Sequence, residues 1–279
     1  EISACLVGSE MCIRDRWKSN VPIPTYNMVI GAAEMDITTL GVASFAFSPS
    51  SLRSDGSIEI SNYTFPEDTE KSQASFARSI EMLNFFSTKV GPFPYEKLAN
   101  VQSSTRFGGM ENASAIFYSQ EAIAKGKNIE STVSHEIAHQ WFGNMLTTRN
   151  WANAWLNEGF ATFLTYVWQE YDKGRDDAEY SRRWMMSSVR WADKSNPRPM
   201  VQYYYVSDMD LFDSNIYAKG ALVLNMLRQL LGYDAFWRVV RNYAKEYQHK
   251  NVESQDLKRI FEDITGQNLE WFFDQWVYT

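Results

Sequence analysis

The five residues His135-Glu136-Ile137-Ala138-His139 constrain this chain more than any other feature. Wound into a helix, histidines four apart stand on one face a single turn from each other, where both imidazoles reach one Zn2+ at ~2.0–2.1 Å. The flanking residues support the helix. Ile129, Val133, Ile137, Trp141 and Met145 recur every four positions, and at about 100° per residue this apolar stripe lies away from the histidines, with Glu136 flanking them. Glu158 follows His139 with eighteen residues between. It opens a second helical pattern carried by Phe160, Phe163, Leu164 and Val167. The interval is long enough to reverse the chain, so two antiparallel helices bring the carboxylate to the metal. A fourth coordination position stays open for water, as in a catalytic rather than a structural zinc site.

The rest of the chain gives that helix pair its setting. Tyr26 to Gly31 and Gly41 to Phe47 read as short strands punctuated by Pro22, Pro24, Pro49 and Gly56. From Glu67 to Val90 the apolar period changes to three and four, which predicts one amphipathic helix ended by Gly91-Pro92. A mixed segment, Ala99 to Tyr118, carries the Gly108-Gly109 pair. Helices are then expected over 129–146, 156–171, 176–193, 216–231, 234–247 and 254–264. Strands first and helices after predict an α+β fold.

Composition removes several classes. The 279 residues are 44% hydrophobic and 22% charged, which excludes disordered and collagen-like chains. The formal net charge is −7, with no basic cluster and no aromatic-basic alternation, so no nucleic-acid partner is expected. The most apolar stretch, Tyr217 to Trp237, is interrupted by Lys219, Arg228 and Asp234, so no transmembrane segment is expected. Both cysteines, Cys5 and Cys12, fall in residues 1–16. There Glu10-Met11-Cys12-Ile13-Arg14-Asp15 resembles the translation of a transposase adapter used in sequencing libraries, and residues 1–16 are read as an adapter-derived artefact. The remainder has no cysteine, which leaves cytoplasm and periplasm or secretion equally open.

His135-Glu136-x-x-His139, the spaced Glu158, and Gly108-Gly109-Met110-Glu111-Asn112 together resemble the zinc aminopeptidase family of aminopeptidase N and the leukotriene hydrolase. The longer strings His135 to Asn144 and Tyr217-Ala218-Lys219-Gly220-Ala221 are similar to that family too. The resemblance runs from Trp17 to Thr279. It implies a thermolysin-like catalytic domain over 51–279, with a small mixed β/α part followed by a mainly helical part. Residues 17–50 are then the end of a preceding β domain, and further N- and C-terminal domains belong to the parent protein. The aromatic run Trp271 to Tyr278 is expected to pack on the following domain.

The resemblance also implies roles. His135, His139 and Glu158 hold one Zn2+ per chain, and Glu136 beside the metal acts as general base. Tyr217 stabilises the oxyanion. Gly108, Gly109, Met110, Glu111 and Asn112 bind substrate, with Glu111 pairing with the α-amine of a peptide that has a free N-terminus. Gly109 stands where many members have alanine, a variant shared with the leukotriene hydrolase branch. Asn153 stands where an acidic residue is frequent, which leaves the support of the zinc ligands open. The family's second amine-binding acid belongs to the N-terminal domain. The reading is a zinc-dependent aminopeptidase. Its alternatives are a leukotriene-hydrolase-like epoxide hydrolase, a zinc endopeptidase and an inactive binding module.

Overall fold

The computed structural model describes Ser19, residues 21–44 and residues 57–279; the adapter-like residues 1–16 and the end of the expected strand at Phe45 to Phe47 lie outside them. The first half is a five-stranded sheet with helices. Strand β1 (Asp36–Ser44) pairs antiparallel with β2 (Ser57–Thr64). Helices α1 (Thr69–Phe76) and α2 (Ser79–Lys89) then cross over to β3 (Lys97–Ser103), which runs parallel to β2, as a parallel pair requires. Strands β4 (Gly109–Met110) and β5 (Ala115–Ser119) complete the order β1-β2-β3-β5-β4. The two-residue β4 is therefore an edge strand, antiparallel to β5.

The second half is helical: α3 (Gln120–Ala124), α4 (Glu130–Ala138), α5 (Trp155–Asp172), α6 (Arg175–Ser195), α7 (Gly220–Leu231), α8 (Tyr233–Glu246), α9 (Ser254–Thr265) and α10 (Glu270–Trp276). A parallel pair, β6 (Leu146–Thr148) and β7 (Lys250–Val252), ties the end of the α4 region to the chain after α8. This is the expected α+β architecture. One core runs through both halves, with Ile58, Leu83, Ile137, Trp155, Phe163, Leu224 and Phe261 all buried in it. Among the described residues no helix is long and apolar enough to cross a membrane.

Four local expectations are corrected. Tyr26 to Gly31 is not a strand: Tyr26 and Asn27 belong to a 3-10 turn, Thr25–Asn27, which closes on local backbone hydrogen bonds while the Tyr26 and Asn27 side chains bond to Glu111 and Asn144. The helix expected from Glu67 to Val90 is two helices. The chain bends at Ala77-Arg78, where Arg78 reaches Glu81, Glu130 and Asp172 and lies over the Trp168 ring. The helix expected over 129–146 ends at Ala138. There the N–H groups of Asn144, Met145 and Leu146 turn back to the carbonyls of His139, Gln140 and Trp141, and Gly143 takes φ +123°, which favours glycine. Finally, the aromatic run after Glu270 is α10, and Phe272, Phe273 and Val277 are buried in the chain's own core while Trp271 stays 54% exposed.

Helices α5 and α7 approach at two glycines. A Cβ on Gly159 would lie 3.0 Å from the Gly220 Cα, and one on Gly220 would lie 2.9 Å from the Gly159 Cα. Backbone stands against backbone, so neither contact can yield by rotating a side chain. Gly220→Ala is expected to force the helices apart, cost about 1–3 kcal/mol in denaturant unfolding as overpacked cores do, and lower the melting temperature accordingly.

Candidate active site

Helix α4 carries the site. Asn128 accepts a hydrogen bond from the Glu130 N–H at its start (2.9 Å), and Glu130 in the first turn suits the positive end of the helix dipole. Val133, Ile137 and Trp141 are fully buried, as the apolar stripe predicts. The opposite face is partly covered by α5 and the turn before α7: His139 is 1% exposed, while His135 keeps 19% of its side chain accessible.

His135, His139 and Glu158 converge. The two Nε2 atoms are 3.0 Å apart, and Glu158 Oε2 lies 3.2 Å from His135 Nε2 and 3.1 Å from His139 Nε2. Ligands at ~2.0–2.1 Å from a tetrahedral zinc would stand roughly 3.3 Å from one another. The triangle matches one face of such a tetrahedron, so these residues fit the metal. The His139 Nδ1 lies 2.9 Å from the Phe142 carbonyl, which requires the proton on Nδ1 and aims the lone pair of Nε2 into the triangle. Gly143 permits this turn, since a Cβ there would lie 2.9 Å from His139 Nδ1. Asn153 instead bonds to the Ser254 backbone N–H (3.0 Å), the Ser254 hydroxyl (2.6 Å) and Asn150 (3.1 Å), anchoring the start of α9.

The electrostatics favour positive charge at the centre of the triangle. Burial pushes the His135 imidazole below its ordinary pKa. Burial also opposes charge on His139, but Glu158, Glu111 and Glu136 outweigh it and raise that imidazole to about 10. Glu158 is the counterpart: burial works against its charge, yet His139 and His135 hold it at about 2.

Two more carboxylates face the triangle. Ligating atoms of Glu111, Glu136 and His139 all lie within 4.8 Å of one another. Burial, with Glu111 and Glu158, pushes Glu136 well above the usual carboxylate range, against the pull of His139. Glu136 packs directly on the edge strand: a Cβ on Gly109 would sit 2.5 Å from its Oε1. Glu111 follows β4 and is held at its backbone, where Gln140 Nε2 (3.1 Å) and Asn144 Nδ2 (2.6 Å) donate to its carbonyl. Its carboxylate Oε1 accepts from the Tyr26 hydroxyl at 3.0 Å. Met110 is half-buried on the edge strand and Gly108 is exposed beside it. Asn112 turns away, giving its Nδ2 to the Asn27 carbonyl (3.2 Å).

Tyr217 comes from a π-helical turn, Asn215–Lys219, a widened geometry that re-aims a side chain. Its ring stacks on His135 with centroids 6.0 Å apart. Burial, then the carboxylates of Glu158, Glu111 and Glu136, push the phenol above its ordinary range, so it keeps its proton. The turn is pinned by Arg198, whose guanidinium grips both oxygens of Asp213 (3.1 and 2.7 Å), and Asp213 Oδ1 in turn accepts the Asn215 N–H at 2.8 Å.

His135, Glu136, His139, Glu158, Glu111 and Tyr217 thus share one site, with Gly109 beneath Glu136. Sequence reasoning passed over Tyr26, Gln140, Asn144 and the Arg198–Asp213 pair. Gln140 and Asn144 stand in the string His135 to Asn144 and were legible as a motif without a role. Tyr26 is one of fifteen tyrosines and lies 85 positions from its partner, so nothing in the chain order marks it.

With this geometry in place, known proteins supply the class. Residues 75–276 match the model of the Peptidase family M1 domain, and the chain belongs to that family. Aminopeptidase M1-C of Oryza sativa subsp. japonica is 31% identical over 230 residues, covering 74% of this chain and 25% of the relative. Endoplasmic reticulum aminopeptidase 1 of Rattus norvegicus is 31% identical over 215 residues, covering 72% of this chain and 23% of the relative. The chain spans about a quarter of the length of these relatives. Among solved structures, native yeast LTA4 hydrolase superposes with a TM-score of 0.82 at 22% identity, over 99% of this chain and 44% of that one. The M1 zinc metallopeptidase of Deinococcus radiodurans with a Tyr-Ser-Ala substrate superposes at 0.74 and 24% identity, over 94% and 56%. Both likenesses concern the fold, an α+β thermolysin-like domain.

Proposed function

We propose that this chain is the catalytic part of a zinc aminopeptidase that removes N-terminal residues from peptides. The observation that carries the reading is the carboxylate of Glu111 just after the edge strand, within 4.8 Å of ligating atoms of Glu136 and His139. An anionic group there pairs with a free α-ammonium and sets the first peptide bond, and no other, over the triangle.

On this reading His135, His139 and Glu158 hold one zinc ion, which when bound acidifies water toward pKa ~7 and polarises a carbonyl. Glu136 takes the proton of the attacking water and passes it to the leaving amine. Burial and the neighbouring carboxylates hold it above the usual carboxylate range, which suits a group that must both accept and return a proton. Tyr217, kept protonated by its surroundings, donates its hydroxyl to the oxyanion as the carbonyl becomes tetrahedral. Aminopeptidase relatives support the substrate class.

Three tests follow. His139 carries a proton up to about 10, so a metal entering the triangle must displace it. Zinc affinity, measured by calorimetry in buffers of different ionisation enthalpy, is therefore expected to rise by up to about tenfold per pH unit between pH 6 and 8 with proton release. His139→Ala should abolish the bound metal by elemental analysis; full occupancy in that variant would remove it from the ligand set.

Glu136→Gln should keep zinc while lowering turnover about 10²–10⁴-fold. Tyr217→Phe should lower kcat about 10²–10³-fold with little change in ground-state binding. Loss of zinc from the glutamine variant would make Glu136 structural, and an unchanged kcat would return Tyr217 to packing.

The third test decides between exo- and endopeptidase. Aminoacyl chromogenic substrates should be cleaved and their N-acetyl forms should lose most of that activity. Internal cleavage of blocked peptides at an equal rate would identify an endopeptidase.

A further inference from the structure

Tyr26 belongs to none of the motifs, and it lies outside the residues 75–276 that match the family model. Yet it is half-buried and its hydroxyl reaches into the site. Its hydroxyl stands 3.0 Å from Glu111 Oε1 and 3.0 Å from the Gly143 carbonyl. A phenol has one proton to give, and the charged acceptor forms the stronger bond.

The segment that carries Tyr26 is docked on the same part of the site at several points. Its turn is closed by the Asn27 N–H on the Pro24 carbonyl (3.1 Å) and the Met28 N–H on the Thr25 carbonyl (3.2 Å). Asn27 Nδ2 donates to Asn144 Oδ1, the residue whose own Nδ2 holds the Glu111 carbonyl. Asn112 returns a bond to the Asn27 carbonyl. The Tyr26 ring sits edge-on to Trp151, centroids 5.2 Å apart. The hydroxyl is therefore held by backbone and packing that Glu111 does not itself supply.

Glu111 needs such a hold. Its carboxylate faces those of Glu136 and Glu158, and like charges at this range repel. A free carboxylate would relieve that repulsion by rotating away from the triangle. We infer that Tyr26 is a positioning residue for amine recognition: its hydroxyl fixes one oxygen of Glu111 and leaves the other oriented to receive a substrate α-ammonium. This rests on the proposed amine-anchoring role of Glu111. The gain is one of preorganisation, since the anchor is set before substrate arrives.

The test uses the zinc-loaded full chain with L-leucinamide and L-argininamide as probes, each beside its N-acetyl form, in titration calorimetry. The variants are Tyr26→Phe, which removes only the oxygen, Glu111→Gln, and the two combined. Zinc content and thermal unfolding are recorded for each. Tyr26→Phe is expected to keep its zinc and to bind both free amides about 3- to 10-fold more weakly, the loss of one hydrogen bond to a charged group, with no change for the N-acetyl forms. In the Glu111→Gln background the same substitution should have no further effect, because the group it positions is gone. Equal weakening of free and blocked amides, a full effect persisting beside Glu111→Gln, or wild-type affinity in Tyr26→Phe would each overturn the inference. The underlying reading fails differently. If Glu111→Gln still distinguishes free from blocked amides as the unsubstituted chain does, or if the unsubstituted chain does not distinguish them, amine anchoring itself falls and the role of Tyr26 with it. If Glu111→Gln loses the distinction while Tyr26→Phe retains it in full, only the inference about Tyr26 falls.

Discussion

Three carboxylates, Glu111, Glu136 and Glu158, converge on two histidines inside this protein, and charges of one sign held that closely would separate if nothing opposed them. What opposes them is the burial of the other side of α4. Val133 and Ile137 are fully excluded from water, and burying each contributes roughly 1.5–3 kcal/mol. Trp141 adds its ring and donates its indole N–H to the Gly91 and Pro92 carbonyls. That apolar face fixes where α4 lies, and the position of α4 fixes the polar face with it. The site is polar and crowded because the stripe behind it is well packed.

The other site residues inherit their positions from backbone rather than from long side chains. Glu158 immediately precedes Gly159, and Tyr217 precedes Gly220 by less than a turn, so the contact between the two glycines locks both groups to one crossing of helices. Glu111 is gripped through its carbonyl by Gln140 and Asn144, both from the turn that follows His139. Glu158, Glu111 and Tyr217 are thus each referred to α4 within a few bonds. Such short chains of reference suit a site that must hold a narrow geometry.

The same contrast explains what could be read in the sequence. The triangle of His135, His139 and Glu158 was legible because its spacing is local: two of its members share a helix, and the third lies in the next one. The α+β order was legible from the change of apolar period. The end of α4 was not, because Trp141 and Met145 continue the stripe although the chain has already left the helix after Ala138. Periodicity reports burial, and burial persisted through a change of backbone. The break at Ala77-Arg78 escaped for the same reason, since Phe76, Leu83 and Phe86 all stay buried across it. Tyr26 escaped because it reads as one residue in a strand-like run, and its partner is brought to it only by the tertiary fold.

Charge counting ties these parts to substrate choice. In the state the proposed reading requires, with Glu136 ready to accept a proton and both imidazoles neutral, the three carboxylates carry three negative charges. A divalent cation in the triangle answers two of them. The one left over sits, on the proposed reading, at Glu111, the carboxylate that is not a ligand and does not handle the proton of the attacking water. A free α-ammonium supplies the missing positive charge in a buried place where the effective dielectric is low and an unpaired charge is costly. A blocked N-terminus leaves that charge unanswered and also loses the register that Glu111 provides. On the proposed reading, discrimination for the free amine then has two sources, one energetic and one geometric, and both act through Glu111, which is bonded by groups outside the His135 to His139 motif.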